Sequence, residues 1–178
     1  MEISNYQSIN SEDIIDLYQT AFTDSAGEGE GLVLKTLVTN LIDLTPADEL
    51  LGFVVVDKDC LIGAIFFSRF FIRDDIKAFL LSPVVVATKY QGQGIGKQLI
   101  AFGLERLKLN GVNLVITYGD PNFYSRVGFH QITTDLIRPP YPLTQPVGWM
   151  AQRLDGCQLS LIAKETRCVK AFCEKRYW

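Results

Sequence analysis

A single histidine, His130, and four cysteines give this 178-residue chain little material for a metal centre. Cys60, Cys157, Cys168 and Cys173 do not form the paired C-x-x-C units of a zinc site, so they read as reduced thiols, some of them small buried apolar groups. An excess of positive charge is also missing. Seventeen Lys and Arg stand against twenty Asp and Glu, a net charge of −3, and the basic residues are interrupted by acids and apolar side chains. Nothing in that balance favours a nucleic-acid surface. The apolar runs Leu51–Val56 and Cys60–Phe67 are too short to span a bilayer. The opening MEISNYQSINSED lacks the basic and apolar segments of a signal peptide, so a soluble cytoplasmic protein is expected.

What is present is the composition of an ordinary folded domain, 48% hydrophobic and 21% charged. The length suits one buried core better than two, and no linker or repeat divides it, so residues 1–178 are expected to form a single domain. Glu2–Gln7 alternates weakly, as a first strand would. Asn10 or Ser11 then offers a helix cap, with Glu12 and Asp13 in the first turn and Ile14, Ile15, Leu17, Tyr18, Ala21 and Phe22 at helical spacing. Thr23–Gly31, with three glycines, reads as a mobile loop before a second amphipathic helix from about Leu32 to Leu41.

Three strands follow at Leu50–Val56, Cys60–Phe71 and Lys77–Ala87, with short polar connections that imply an antiparallel meander. Pro83 cannot donate a ladder hydrogen bond and so marks an edge or a bulge. A glycine turn, a helix from about Gly94 to Leu109 and a strand at Leu114–Tyr118 complete a right-handed crossover, which sets that strand parallel to Lys77–Ala87. Asp120 caps a short helix from Pro121 to Gly128, and Phe129–Ile132 is extended. Arg138–Pro146 holds four prolines and makes a surface connection; Trp149–Leu154 and Leu159–Ala163 are expected strands.

The glycine turn carries the chemistry. Gln91-Gly92-Gln93-Gly94-Ile95-Gly96-Lys97 lies between a strand and a helix, where free N–H groups and the helix dipole attract phosphate, and glycine lets the backbone approach closely. A P-loop does not fit: only Gln93, Gly94 and Ile95 separate Gly92 from Gly96-Lys97, and Gln98 stands where Ser or Thr is needed. The dinucleotide fingerprint G-x-G-x-x-G does not fit either, because the turn reads G-x-G-x-G.

The Q-x-x-G-x-G arrangement resembles the acetyl-CoA loop of the GNAT acetyltransferase superfamily. Two flanks extend the resemblance: Leu81-Ser82-Pro83-Val84-Val85-Val86, similar to the family's fourth strand, and Tyr118–Phe129 (YGDPNFYSRVGF), similar to its later helix segment. It covers about Leu80 to Phe129. It implies an α+β fold with a mixed, mostly antiparallel central sheet of six to seven strands, one splayed parallel pair, and about four flanking helices. It further implies that Gln91, Gly92, Gln93, Gly94, Ile95, Gly96 and Lys97 bind the CoA pyrophosphate. Val84, Val85 and Val86 would line the acyl-pantetheine arm through their backbone, one N–H polarising the thioester carbonyl. Asn122 would bond near that arm, or cap its own helix. Tyr124 would be the acid that protonates the departing CoA thiolate, since a phenol keeps its proton at neutral pH.

The activity so implied is transfer of acetyl from acetyl-CoA to a primary amine of a small molecule or peptide, by direct attack in a ternary complex. Two alternatives stand: a non-catalytic acyl-CoA-binding sensor or interaction module, and an acyltransferase for another acyl chain or acceptor. Glu28, Glu30, Asp24, Asp74 or a water chain could take the amine proton, and no spacing singles one out; the resemblance makes the Thr23–Gly31 loop the acceptor-facing lid. His130 reads as structural. The implied partners are an amine substrate, with neither nucleic acid nor membrane, and the Pro-rich arm with the apolar C-terminal strand is compatible with a homodimer.

Overall fold

The computed structural model describes residues 1–159 and 165–178. Among them are four α-helices, α1 (Ser11–Ala26), α2 (Glu28–Leu44), α3 (Ile95–Leu109) and α4 (Pro121–Tyr124). The strands are β1 (Glu2–Asn5), β2 (Leu50–Asp57), β3 (Cys60–Phe71), β4 (Ala78–Val86), β5 (Leu114–Tyr118), β6 (His130–Gln131), β7 (Trp149–Arg153) and β8 (Arg167–Cys168). They form one mixed sheet in the order β1-β2-β3-β4-β5-β7-β6, with β8 on β3. The short β8, without any periodicity to announce it, adds an eighth strand to the six or seven expected. The β4–β5 pair is parallel, as the crossover through α3 requires; β5–β7, β6–β7, β1–β2 and β3–β8 are antiparallel. No helix among the described residues is long and apolar enough to cross a membrane.

The chain forms two compact units, Met1–Phe67 with Pro83–Gly103, and Ser68–Ser82 with Leu104–Trp178. In the first, period-two alternation places successive phenylalanines of β3 on opposite faces of the sheet. Phe66 meets Tyr6 and Tyr18 of α1, with ring centroids 5.2 and 6.1 Å away. A Cβ on Gly52 would come within 2.7 Å of that ring. Phe67 takes the α3 side, where Gly103 makes room for it: an added Cβ there would approach within 2.3 Å. Lys58 and Asp59, both at positive φ (48° and 64°), close the β2–β3 hairpin in the manner that matches strand twist in a two-residue loop.

The Thr23–Gly31 segment is not a loop. Helix α1 runs through Ala26, only Gly27 breaks the chain at φ 94°, and α2 begins at Glu28. Glu28 and Glu30 sit in the first turn of α2, where the helix dipole favours acids. Gly31 is fixed by packing, since a Cβ would lie 2.0 Å from Thr23 Oγ1 and 2.7 Å from the Gln19 carbonyl. Two helices crossing this closely leave no lid.

The second unit is built around Trp149, which is fully buried and donates its indole N–H to the Ile137 carbonyl at 2.8 Å. Phe70 and Trp178 pack edge-on against it. The expected strand at Trp149–Leu154 is β7, and Arg138–Gln145 carries no regular element. Of the expected strand Leu159–Ala163, Leu159 is irregular and the remainder lies outside the described residues.

Candidate active site

In the first unit the site grows from the last residues of β4. Paired register with β5 runs from Ala78↔Leu114 to Leu81↔Thr117, and β4 continues past the end of that register to Val86. Burial alternates along this stretch: Leu81, Pro83 and Val85 are buried, whereas Ser82, Val84 and Val86 are half-exposed. The three valines are therefore not a uniformly buried strand. Ala87 donates its N–H to the Ile62 carbonyl of β3 at 2.9 Å. Alternation in an antiparallel pair then turns the backbone groups of Val85 toward β3 and those of Val84 and Val86 away from it. One of these is already engaged, because Gln91 Nε2 donates to the Val86 carbonyl at 3.0 Å.

Pro83 removes a donor where pairing with β5 has ended, consistent with the edge or bulge its position implies. Its carbonyl accepts the Tyr18 hydroxyl at 2.9 Å. That bond escaped the sequence reading: Tyr18 counts as one more apolar position on α1, although a buried tyrosine hydroxyl requires a partner somewhere. Asp24, one of the candidate bases, accepts the Thr88 hydroxyl at 2.6 Å and so ties the end of α1 to the turn after β4.

From Val86 the chain passes through a single 3-10 turn, Thr88–Tyr90, into the glycine loop. Gly92 and Gly94 have φ of 76° and 82°, the left-handed region in which a side chain is strained, and open space lies where their Cβ atoms would project. Gly96 falls inside α3, at ordinary helical φ. Among the described residues, the backbone amides from Gly92 to Lys97 donate to no protein acceptor; the first α3 bond runs from Gln98 to the Gly94 carbonyl. The loop residues from Gln91 to Gly94 are exposed, Gly96 and Lys97 are half-exposed, and Ile95 is buried as the anchor of the turn. Free donors, positive helix-end potential and unobstructed approach fit a pyrophosphate group.

In the second unit the site residues follow β5. Asp120 caps α4, its Oδ1 accepting the Asn122 amide at 2.9 Å and the Asn122 side-chain Nδ2 at 3.2 Å. Asn122 thus completes its own helix cap. Tyr124 is half-buried, its ring edge-on to Phe123 and Phe129. Gly119 lies beneath the ring, since a Cβ there would come within 2.6 Å of Tyr124 Cε2. Burial pushes the phenol above its ordinary value, and the neighbouring Thr117 hydroxyl works in the opposite direction without cancelling it. Thr117, fully buried, donates to the Leu81 carbonyl at 2.9 Å, where the β4–β5 register ends. Its one sequence signal is a lone polar residue in the apolar run Leu114–Tyr118.

Val84–Val86 and Gln91–Lys97 come together in the first unit, and Asn122 and Tyr124 in the second. Of the remaining candidates, Glu28 and Glu30 are exposed on α2, Asp74 lies in the β3–β4 connection, and His130 begins β6.

The description "Acetyltransferase (GNAT) domain" matches residues 48–131, which span β2 to β6 and contain the glycine loop and Tyr124. The chain is 30% identical over 131 residues to N-acetyltransferase YjhQ of Escherichia coli, itself uncharacterized, covering 70% of this chain and 72% of that one. It is 36% identical over 97 residues to the uncharacterized N-acetyltransferase YhbS of Escherichia coli, covering 53% of this chain and 58% of the relative. The crystal structure of YhbS in complex with CoA aligns over 97% of this chain and 92% of its own with a TM-score of 0.81 and 25% identity. A GNAT family acetyltransferase from Brucella melitensis, in complex with acetyl-CoA, shares the fold with a TM-score of 0.69 over 96% of this chain and 97% of its own, at 24% identity. With its parallel β4–β5 pair, glycine loop and this likeness to CoA-bound relatives, the chain belongs to the GNAT superfamily of N-acetyltransferases.

Proposed function

We propose that this chain transfers an acetyl group from acetyl-CoA to a primary amine of a small molecule or peptide, by direct attack in a ternary complex, acting in the cytoplasm as one domain of residues 1–178. The observation that carries the reading is the run of unpaired amides from Gly92 to Lys97 at the start of α3. They suit the CoA pyrophosphate, with Gln91 bracing the loop against Val86 and the Lys97 ammonium adding positive charge. The backbone groups of Val84 and the N–H of Val86, turned away from β3, suit amides of the pantetheine arm by strand-like pairing, and Val85 packs the opposite side. Acetyl-CoA supplies an activated thioester when bound.

Tyr124 is assigned the proton for the departing thiolate. Its raised pKa keeps the phenol protonated across the neutral range, which a donor requires. Asn122, engaged by Asp120, holds the α4 turn that presents Tyr124. The amine is the only partner the proposal needs.

Release of free thiol from acetyl-CoA in the presence of amines tests the reading. Tyr124→Phe should lower kcat roughly 10- to 100-fold while leaving the KM for acetyl-CoA little changed. A variant that turns over at the wild-type rate removes Tyr124 from the mechanism.

A further inference from the structure

A cavity of about 450 Å³ opens at the C-terminal end of β5, in the second unit, lined by Tyr118, Gly119, Asp120, Thr144, Gln145 and Gly148 among others. Its shape is set by the backbone. Gly119 donates its N–H to the Gly148 carbonyl at 3.0 Å, and a Cβ on Gly148 would lie 2.7 Å from the Gly119 carbonyl oxygen. A side chain at Gly148 would push the two segments apart. The far wall is fastened by Tyr118, whose hydroxyl accepts the Gln145 amide at 2.7 Å and shares a hydrogen bond with Thr144 Oγ1 at 2.9 Å. The residue that floors the cavity, Gly119, is also the one on which the Tyr124 ring rests.

The lining is mixed in polarity but has one sign of charge. Among the described residues Asp120 is the only acidic side chain that lines it, and no Lys, Arg or His does. Capping of α4 occupies Oδ1 of Asp120, whereas Oδ2 has no hydrogen-bond partner among the described residues. A carboxylate oxygen left free at the rim of a cavity attracts a cation.

We propose that this cavity receives the acyl acceptor, and that Asp120 selects acceptors carrying a second cationic group remote from the amine that is acetylated. The inference rests on the acetyltransferase reading above and adds the substrate class to it: a diamine or a larger polycationic amine. Asp120 is a specificity-determining residue in this scheme. It holds the remote ammonium while the other amine, deprotonated, attacks the acetyl carbonyl; the N–C bond forms as the C–S bond breaks, and CoA leaves as the thiol.

Three probes of equal chain length test this with the full chain: 1,4-diaminobutane, 4-amino-1-butanol and butylamine, each followed by thiol release from acetyl-CoA. After correction for its two equivalent amines, the diamine should show a kcat/KM about fivefold above the other two, in line with one solvent-accessible ion pair. Asp120→Asn keeps the helix cap, because asparagine caps as well as aspartate. It should erase the preference, the loss appearing as a higher KM for the diamine and not for butylamine. Val147→Trp, which fills the cavity from an exposed position, should raise KM for all three amines and spare acetyl-CoA binding. Equal use of the three probes by the wild-type protein, or a preference that survives Asp120→Asn, overturns the inference while the acetyltransferase reading stands. If acetyl-CoA does not bind the wild-type protein, that reading fails and takes the inference with it.

Discussion

Replacing Gly94 with alanine separates the two reasons a glycine can occupy this loop. Its φ of 82° lies in the left-handed region, and no atom stands within 4 Å of the position a Cβ would take. Steric conflict inside the protein is therefore absent, and the cost to folding is that of the backbone conformation alone, about 1–2 kcal/mol. For a chain of this length that is a fall in Tm of roughly 2–8 °C. The open space is also where the account places the CoA pyrophosphate, so the added methyl should weaken acetyl-CoA binding about 10- to 100-fold. Gly111 supplies the control. It has φ 71°, nothing within 4 Å, and a place just past the end of α3, so Gly111→Ala should lower Tm by a similar amount. Thermal denaturation and calorimetric titration of the two variants give four numbers. Equal losses of stability with loss of acetyl-CoA affinity only in Gly94→Ala support the account; wild-type affinity in Gly94→Ala, or equal affinity losses in both, refutes it.

Further predictions rest on details outside the loop. Asp155 has its pKa held down to about 2, chiefly by the hydrogen bond from Arg153, with the Cys157 amide and Asn113 Nδ2 as further donors. A carboxyl depressed in the folded state stabilises above its ordinary value of 3.8, and that stabilisation is lost as pH falls through about 2. Asp155→Asn should therefore cost about 1 kcal/mol in urea denaturation near pH 7, with the gap to wild type narrowing below pH 4; a pH-independent gap removes the ion pair as its cause. Cys168 and Cys173 have Sγ atoms 3.9 Å apart. Burial and the neighbouring Cys173 push the Cys168 thiol up to about 12, so air oxidation should be slow. Diamide should nonetheless link the two with loss of both thiol hydrogens, and peptide mapping that finds no such link contradicts their juxtaposition.

The parts of the fold legible in the sequence are those governed by local periodicity and by glycine or proline at obligatory positions. Leu114–Tyr118 is a strand over those very residues, the helix after the glycine loop differs by one residue at its start, and the parallel sense of β4 and β5 follows from the crossover. Gly27, Gly29 and Gly31 misled because three glycines in five residues read as chain flexibility. Only Gly27 uses its left-handed freedom; Gly31 answers to helix packing, a tertiary demand that sequence spacing does not reveal. The partners of Tyr18 and Thr117 are not legible in the sequence for a related reason. Each is a hydroxyl on an apolar pattern, and each finds its acceptor far along the chain, on Pro83 and Leu81 of β4. The Gln91–Gly96 motif is readable because its geometry is local: consecutive free amides at one helix start, with no distant partner required.

Isothermal titration of the full chain with acetyl-CoA asks whether these amides bind CoA. Saturable binding of one molecule per chain is expected, with a dissociation constant between about 1 μM and 1 mM. No binding heat up to about 1 mM, measured at two temperatures so that a vanishing enthalpy cannot hide it, would rule out the loop as a CoA site.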